Sequence, residues 1–172
     1  MALEIERRFL VRGQAWRQHQ CWQAELQQGY LTSAADGLTL RVRCDGQGSA
    51  WLTLKLPAPG IARQEFEYAI PEADALALLE QCPVALAKRR HGLDLPGGDW
   101  VLDVFSGSNA PLVIAEVELP SADHPVLIPA WCAQEITGIG AFSNAALAAH
   151  PFARWPEPER QPWLRHLSAE PS

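Results

Sequence analysis

Apolar and polar residues alternate along most of the first 119 positions of the chain, and this period of two predicts β-strands. The stretch Leu3–Val11 is the clearest example, because Glu4, Glu6 and Arg8 fall on one face and mainly apolar residues fall on the other. The same pattern recurs between turn-forming residues further along the chain. The predicted strands span residues 3–11, 22–32, 38–44, 50–56, 62–70, 84–91, 100–106 and 112–119.

A helix is predicted at one place among these strands. Pro71 lies near the first helical position, acidic residues occupy the first turn, and Leu76 and Leu79 recur with helical spacing before Gln81. A turn or short helix is also predicted over residues 13–20. Eight strands with one helical interruption indicate a largely antiparallel sheet in a mainly β, α+β fold, and the pattern leaves open whether the sheet closes as a barrel.

The pattern weakens after residue 120. Residues 122–131 allow at most a short helix, because Pro125 and Pro129 limit its length. A helix is predicted to begin at Asn144. From residue 151 onwards, prolines, tryptophans and charges are mixed, so we expect a surface tail without regular structure.

The overall charge narrows the classes of partner. The chain has 14 Lys and Arg residues against 20 Asp and Glu, whereas proteins that bind nucleic acid usually carry a basic surplus. No apolar run is long enough to span a membrane, and the N-terminus resembles a strand more than a signal peptide. We therefore expect a cytoplasmic protein with reduced cysteines that binds neither nucleic acid nor membranes. Whether it forms a homodimer stays open.

Fourteen charged side chains share one face of the predicted strands. Like charges recur at alternate positions, and two carboxylates about 7 Å apart repel each other by about 2 kcal/mol at an effective dielectric of about 20. A solvated sheet surface crossed by salt bridges is the simpler interpretation, but such a surface would interleave opposite charges. The acids are Glu4, Glu6, Glu65, Glu67, Asp103, Glu116 and Glu118, and the bases are Arg8, Arg41, Arg43, Lys55, Arg63, Lys88 and Arg90.

This clustering is explained if the acids hold a divalent metal and the bases hold a polyanion. Carboxylate oxygens select hard cations such as Mg²⁺ or Mn²⁺, and guanidinium and ammonium groups suit phosphate oxygens. Burying so many charges without water would cost several kcal/mol per ion. We therefore expect the charges to line a water-filled interior, open at one or both ends, with acids and bases in separate zones.

Short motifs follow one another in a fixed order from residue 3 to about residue 151. The first is Glu4-Ile5-Glu6-Arg7-Arg8. The others are Gln28-Gly29-Tyr30-Leu31, Leu40-Arg41-Val42-Arg43, Thr53-Leu54-Lys55, Arg63-Gln64-Glu65-Phe66-Glu67, Lys88-Arg89-Arg90, Trp100-Val101-Leu102-Asp103-Val104-Phe105 and Ala115-Glu116-Val117-Glu118. In this order they resemble the CYTH superfamily, the triphosphate tunnel metalloenzymes, whose signature is Glu-x-Glu-x-Lys.

The resemblance implies an eight-stranded antiparallel barrel over residues 1–150, with residues 151–172 as a tail. It also implies Mg²⁺- or Mn²⁺-dependent chemistry on a triphosphate, and short members with Gln-Gly-Tyr-Leu are similar to inorganic triphosphatases. Hydrolysis of inorganic triphosphate is therefore the first expectation, with the seven bases at phosphate-binding positions. The implied metal ligands are Glu4, Glu6, Asp103, Glu116 and Glu118, while Glu65 and Glu67 either bind metal or orient neighbouring bases.

Two departures from the family pattern stand out. Arg8 replaces the signature lysine, and a planar guanidinium places its donors differently from an ammonium group. Near the C-terminus the family tends towards Thr-x-Asp-x-Arg-Tyr-x-Asn, and Ile139 and Ala141 here replace the charged pair. How the C-terminal region closes the tunnel is therefore left open. Thr137, Phe142 and Asn144 fit the pattern.

Our mechanistic hypothesis has one metal bridging phosphate oxygens and a second activating a water that attacks the terminal phosphorus in line. The catalytic candidates are Glu4, Glu6 and Tyr30, the last as a proton acceptor because nearby cations would lower the pKa of its phenol. A tyrosine that merely packs beside Gly29 is the structural alternative. The functional alternatives are a CYTH-type adenylyl cyclase, a nucleoside or thiamine triphosphatase, and a non-catalytic polyphosphate-binding module.

Overall fold

Eight antiparallel strands form a closed barrel in the computed structural model, which describes residues 2–33, 37–59 and 62–168. The prediction of a mainly β, α+β fold with an eight-stranded barrel is confirmed, and Ala34–Asp36 of the predicted turn lie outside the described residues. The strands are β1 (Ala2–Val11), β2 (Gln20–Ser33), β3 (Thr39–Cys44), β4 (Ala50–Pro57), β5 (Ala62–Ala69), β6 (Val84–Leu93), β7 (Asp99–Phe105), β8 (Val113–Glu118) and β9 (Cys132–Glu135). The α-helices are α1 (Glu72–Gln81), α2 (Asn144–Ala149) and α3 (Glu157–Ser168).

Strand β1 closes the barrel because it pairs with strands on both sides. Its N-terminal half pairs with β5, and residues Glu6–Leu10 pair with β8. The order around the barrel is therefore β1-β5-β4-β3-β2-β6-β7-β8. Strand β9 is a ninth strand, which the sequence pattern did not predict, and it pairs with the C-terminal end of β1 beyond β5.

Helix α1 covers the outside of the barrel over β2, β3 and β4. Ala75 of the helix packs in one buried cluster with Val42 and Cys44. Gly29 allows the close approach of this region, because a Cβ atom there would lie 2.7 Å from Sγ of Cys82. The glycine of the Gln-Gly-Tyr-Leu motif thus has a packing role.

The connection between β8 and β9 covers another part of the outer face. Trp131, at its end, is buried in a cluster with Phe9 and Trp100 from the barrel. Residues 122–131 contain turns and no helix, so the short helix considered for them is absent. Pro125 and Pro129 account for this, since proline cannot donate the backbone hydrogen bonds that a helix needs.

The C-terminal region packs over one end of the barrel. Leu10, Phe105 and Ile114 from the barrel form a buried cluster with Phe152 and Trp155. The expectation of a tail without regular structure is therefore wrong, and residues 157–168 form helix α3.

Helix α3 forms in spite of its internal Pro162 because the apolar side chains on one face of the helix are partly buried. Trp163, Leu164 and Leu167 pack against the cluster at the barrel end. Pro158 lies in the first turn, where the missing N–H costs little. Among the described residues, no helix is long and apolar enough to cross a membrane. All four cysteines are free thiols.

Candidate active site

The fourteen predicted charges all lie on the inner face of the barrel, but opposite charges alternate across neighbouring strands. Directly opposed pairs in the strand register are Arg8 with Glu116, Lys55 with Glu65, and Arg90 with Asp103. The expectation of separate acidic and basic zones is therefore wrong. Like charges cluster within a strand, and the adjacent strand supplies the opposite charges.

Asp103 is fully buried at the centre of an ion-pair cluster with the buried Lys88 and the partly buried Arg90. It accepts hydrogen bonds from Lys88 Nζ at 2.7 Å and from Nε and Nη2 of Arg90 at 2.8 and 2.7 Å. Burial favours the neutral acid, but the charges of Arg90 and Lys88 outweigh it and hold the pKa of Asp103 well below its usual range. Burial lowers the pKa of Lys88 to about 8. Both oxygens of Asp103 are therefore already occupied by basic side chains.

The carboxylate oxygens of Glu116 and Glu67 likewise accept hydrogen bonds from basic side chains. Glu116 accepts one hydrogen bond from Arg8 Nε at 3.1 Å and another from Arg90 Nη2 at 2.8 Å. Glu67 accepts hydrogen bonds from Arg41, Arg43 and the hydroxyl of Thr53, with donor–acceptor distances between 2.8 and 3.3 Å. These acids orient neighbouring bases in the structure described here.

A cavity of about 440 Å³ lies inside the barrel, between the ends of β3, β4 and β5 and the segment 137–145. About half of the predicted site residues line it, and the lining also includes polar residues that the sequence did not indicate. The predicted residues in the lining are Glu4, Glu6, Arg8, Tyr30, Arg41, Lys55 and Arg63. The unpredicted ones are Thr39, Thr137, Ser143 and Asn144. The predicted residues outside the lining are Arg43, Glu65, Glu67, Lys88, Arg90, Asp103, Glu116 and Glu118.

Three of these four unpredicted lining residues had a signal in the sequence. Thr39 precedes Arg41 by two positions on the same face of β3, so the alternation places it in the lumen. Thr137 and Asn144 lie in the C-terminal motif that partly fits the family pattern. Ser143 has no such signal, and its hydroxyl accepts the backbone N–H of Ala146 as the N-cap of α2.

Nearby basic side chains only partly neutralise the two acids that line the cavity, Glu4 and Glu6. Burial, together with the neighbouring Glu6, raises the pKa of Glu4 to about 7 even though Lys55 Nζ lies 2.6 Å from its Oε2. Burial and the charge of Glu116 also raise the pKa of Glu6. In the register Glu6 lies directly opposite another acid, Glu118. Carboxylates in this state gain from a further cation.

The residues of the cavity fit a hard divalent cation. No group of three or more acidic, histidine or cysteine side chains in residues 2–33, 37–59 and 62–168 is arranged as a metal site. Mg²⁺ does not require such a cage, because proteins often bind it with one or two carboxylates while the substrate phosphates and water complete the coordination. Glu4 and Glu6 provide two carboxylates of this kind beside the basic side chains.

Comparisons with known proteins agree with this geometry. Residues 2–146 match the sequence profile of the CYTH domain. The chain is 35% identical over 160 residues to the inorganic triphosphatase of Acetivibrio thermocellus, covering 91% of this chain and 100% of that protein. It is 36% identical over 152 residues to the inorganic triphosphatase of Nitrosomonas europaea, covering 84% and 96% respectively. The chain belongs to the CYTH family.

A solved structure supports the same assignment. The crystal structure of an inorganic triphosphatase superimposes with a TM-score of 0.62 at 35% sequence identity, covering 84% of this CYTH chain and 97% of that one. The two chains therefore share one fold over most of their length.

Arg8, which replaces the lysine of the CYTH signature, connects the barrel with the C-terminal region. Its Nε donates to Glu116, and its Nη1 donates to the backbone carbonyl of Phe142 at 3.1 Å. Its backbone N–H donates to Thr137 Oγ1 at 3.0 Å. Asn144 Oδ1 accepts from Lys88 Nζ at 3.0 Å. Thr137, Phe142 and Asn144 fit the family pattern near the C-terminus. Each of them thus contacts β1 or a basic side chain of the inner face.

Tyr30 does not have the property that the sequence-based hypothesis gave it. Burial raises the pKa of its phenol, and this outweighs the nearby cations, so the expected lowering is wrong. The phenol oxygen accepts a hydrogen bond from Gln28 Nε2 at 2.7 Å. The phenol is therefore protonated at neutral pH, and a role of Tyr30 as proton acceptor stays a prediction.

Proposed function

We propose that this CYTH protein hydrolyses the terminal phosphoanhydride bond of inorganic triphosphate with the help of a divalent metal, Mg²⁺ or Mn²⁺. The observation that carries the proposal is the cavity of about 440 Å³. Its wall contains four bases, Arg8, Arg41, Lys55 and Arg63, beside carboxylates that are only partly neutralised. Two relatives that match most of the chain are named inorganic triphosphatases.

The basic side chains would bind the phosphate oxygens. Arg63 is exposed at the mouth, where its Nη1 contacts the carbonyl of Ala62, so its guanidinium can turn towards an incoming anion. Arg8 and Arg41 are buried and held by acids, so they bind phosphate in fixed positions. Glu4 and Glu6 would hold the metal, which when bound neutralises phosphate charge and makes water a better nucleophile.

The neutral part of the cavity wall favours an inorganic substrate over a nucleotide. In the lining segment 137–145, the side-chain oxygens of Thr137, Ser143 and Asn144 already accept hydrogen bonds from protein groups. The other lining residues of this segment offer no side-chain hydrogen bond and no aromatic ring to a base; they are Gly138, Ile139, Gly140 and Ala145. A nucleoside triphosphatase or an adenylyl cyclase needs contacts for the base and the ribose. Inorganic triphosphate needs only the charged part of the wall.

Phosphate release with Mg²⁺ or Mn²⁺ on inorganic triphosphate, ATP and thiamine triphosphate tests the proposal. We expect the highest kcat/KM with inorganic triphosphate and one orthophosphate released per pyrophosphate formed. Faster turnover of ATP or thiamine triphosphate would favour an organic triphosphatase, and formation of cyclic AMP with pyrophosphate would favour a cyclase. Tight binding of inorganic triphosphate without turnover would indicate a polyphosphate-binding module.

Metal affinity is expected to rise with pH through the neutral range. Because the pKa of Glu4 is about 7, protons compete with a cation for this carboxylate at and below neutral pH. The Mg²⁺ concentration that gives half-maximal activity should therefore be lower at pH 8 than at pH 6, and proton release should accompany metal binding in calorimetry. A constant value between these pH values would show that Glu4 is not a ligand.

A further inference from the structure

Helix α3 lies outside the part of the chain that matches the CYTH profile, and it packs against the wall of the active site. Its Trp163 contacts Phe142 edge-on, with ring centroids 5.0 Å apart and an interplanar angle of 87°. Trp155 contacts the same ring, also with centroids 5.0 Å apart. Phe142 is fully buried between these residues and the barrel.

The backbone of Phe142 contacts a basic side chain inside the barrel. Its carbonyl accepts a hydrogen bond from Arg8 Nη1 at 3.1 Å, while Glu116 binds Nε of the same guanidinium. Arg8 is thus held from two sides, by an acid of the barrel and by the C-terminal backbone. A lysine has no planar fork with which to contact both partners in this way.

The short turn that carries Phe142 is held by local backbone hydrogen bonds and by the burial of the phenylalanine ring. Residues 140–142 form a single 3₁₀ turn, and Gly138 before it has a φ of 75°. Ile139 and Ala141 are exposed, so the ring of Phe142 is the side chain of this turn that anchors it. Side chains packed against that ring therefore determine where its carbonyl lies.

We propose that α3 is a positioning element of the active site, in which Trp163 fixes Phe142 and the Phe142 carbonyl fixes the guanidinium of Arg8 for phosphate binding. This proposal rests on the proposed function of the cavity. It also explains why an arginine is compatible with the signature position here, because its second nitrogen binds a carbonyl that the C-terminal region supplies.

Replacement of Trp163 separates this role from a purely structural one. We expect Trp163→Ala to raise KM for inorganic triphosphate about five- to tenfold and to change kcat less than about twofold, because Arg8 keeps its charge but loses a fixed position. Trp163→Leu, which keeps an apolar side chain at this position and costs less stability than alanine, should raise KM similarly. Trp163→Phe should restore most of the affinity. Trp131→Ala, in the cluster on the outer face, should lower stability without changing KM.

A double-mutant cycle with Arg8→Lys gives the decisive comparison. If Trp163 acts through Arg8, adding Trp163→Ala or Trp163→Leu to Arg8→Lys should raise KM no further. An equal increase in KM in both backgrounds would overturn the proposal, as would an unchanged KM in the single variants.

A measurement that does not depend on turnover distinguishes a failure of this proposal from a failure of the proposed function. Hydrogen exchange of the Arg8 Nη1–H, which donates to the Phe142 carbonyl and is assigned by its loss in Arg8→Lys, should be at least about tenfold faster in Trp163→Leu than in the wild type. If the wild type does not hydrolyse inorganic triphosphate, the proposed function fails while this exchange still tests the contact. Equal exchange rates in the two proteins would overturn the positioning role.

Discussion

Glu6→Gln is expected to abolish turnover of inorganic triphosphate and to leave the barrel folded. Glu6 lines the cavity, lies opposite Glu118 and has a raised pKa, which are the properties of a carboxylate that needs a cation. Metal coordination contributes several kcal/mol to stabilising charge in phosphoryl transfer, so we expect a loss of at least about 100-fold in kcat/KM. Stability should stay the same or rise, because the amide relieves both the burial of a charge and the repulsion by Glu116.

Phosphate release and thermal unfolding measured on the same preparations check this prediction. Glu25→Gln is a matched control, because Glu25 lies on the outer face of β2 and pairs with Arg89 at the surface. It should retain full activity. A Glu6→Gln variant that keeps more than about a third of the wild-type rate would remove Glu6 from the metal site.

Asp103→Asn is expected to have the largest effect on stability. The carboxylate is completely buried, and it neutralises both Lys88 and Arg90. Removing one partner of a buried ion pair leaves an uncompensated charge, which typically costs about 3–5 kcal/mol. We therefore expect a loss of this size in the free energy of unfolding, with activity lost in proportion to the unfolded fraction.

Urea unfolding of Asp103→Asn and of the double variant Asp103→Asn/Lys88→Met tests this interpretation. The double variant should recover part of the lost stability, because one buried charge is removed with its partner. If Asp103→Asn instead unfolds like the wild type and loses only activity, Asp103 acts as a metal ligand, as the family resemblance implies.

Most of the barrel could be predicted from the sequence because strand alternation is a local property. The eight barrel strands and helix α1 follow from residue spacing between turn signals. Strand β9 could not be found in this way, since four residues are too few to show a period. Helix α3 was missed because Pro158 and Pro162 argue against a helix locally, and only its packing against Phe142 offsets them.

The inner face of the site was predictable, but the pairing of its charges was not. Alternation assigns Glu4, Glu6 and Arg8 to one face whatever the neighbouring strand is. Which acid meets which base depends on the register between strands, and a shift of one residue would change every pair. Because the sequence does not give this register, it predicted separate acidic and basic zones. The structure instead has cross-strand pairs of opposite charge, such as Arg90 with Asp103.

The same limit explains why five of the seven candidate metal ligands divide into two groups. Asp103, Glu116 and Glu67 bind basic side chains with both oxygens, whereas Glu4 and Glu6 face the cavity with raised pKa values. Sequence alone gives all of these acids the same character. The structure separates acids whose oxygens accept hydrogen bonds from basic side chains from acids that face the cavity, and we propose that the latter bind the metal.

A crystal structure with Mn²⁺ and a non-hydrolysable triphosphate analogue tests this division most directly, because the anomalous signal of the metal locates it independently of the protein atoms. We predict a Mn²⁺ peak within bonding distance of the Glu4 and Glu6 carboxylates, with phosphate oxygens bound by Arg8, Arg41, Lys55 and Arg63. A peak on Asp103 or Glu116, or an analogue bound outside the cavity, would contradict it.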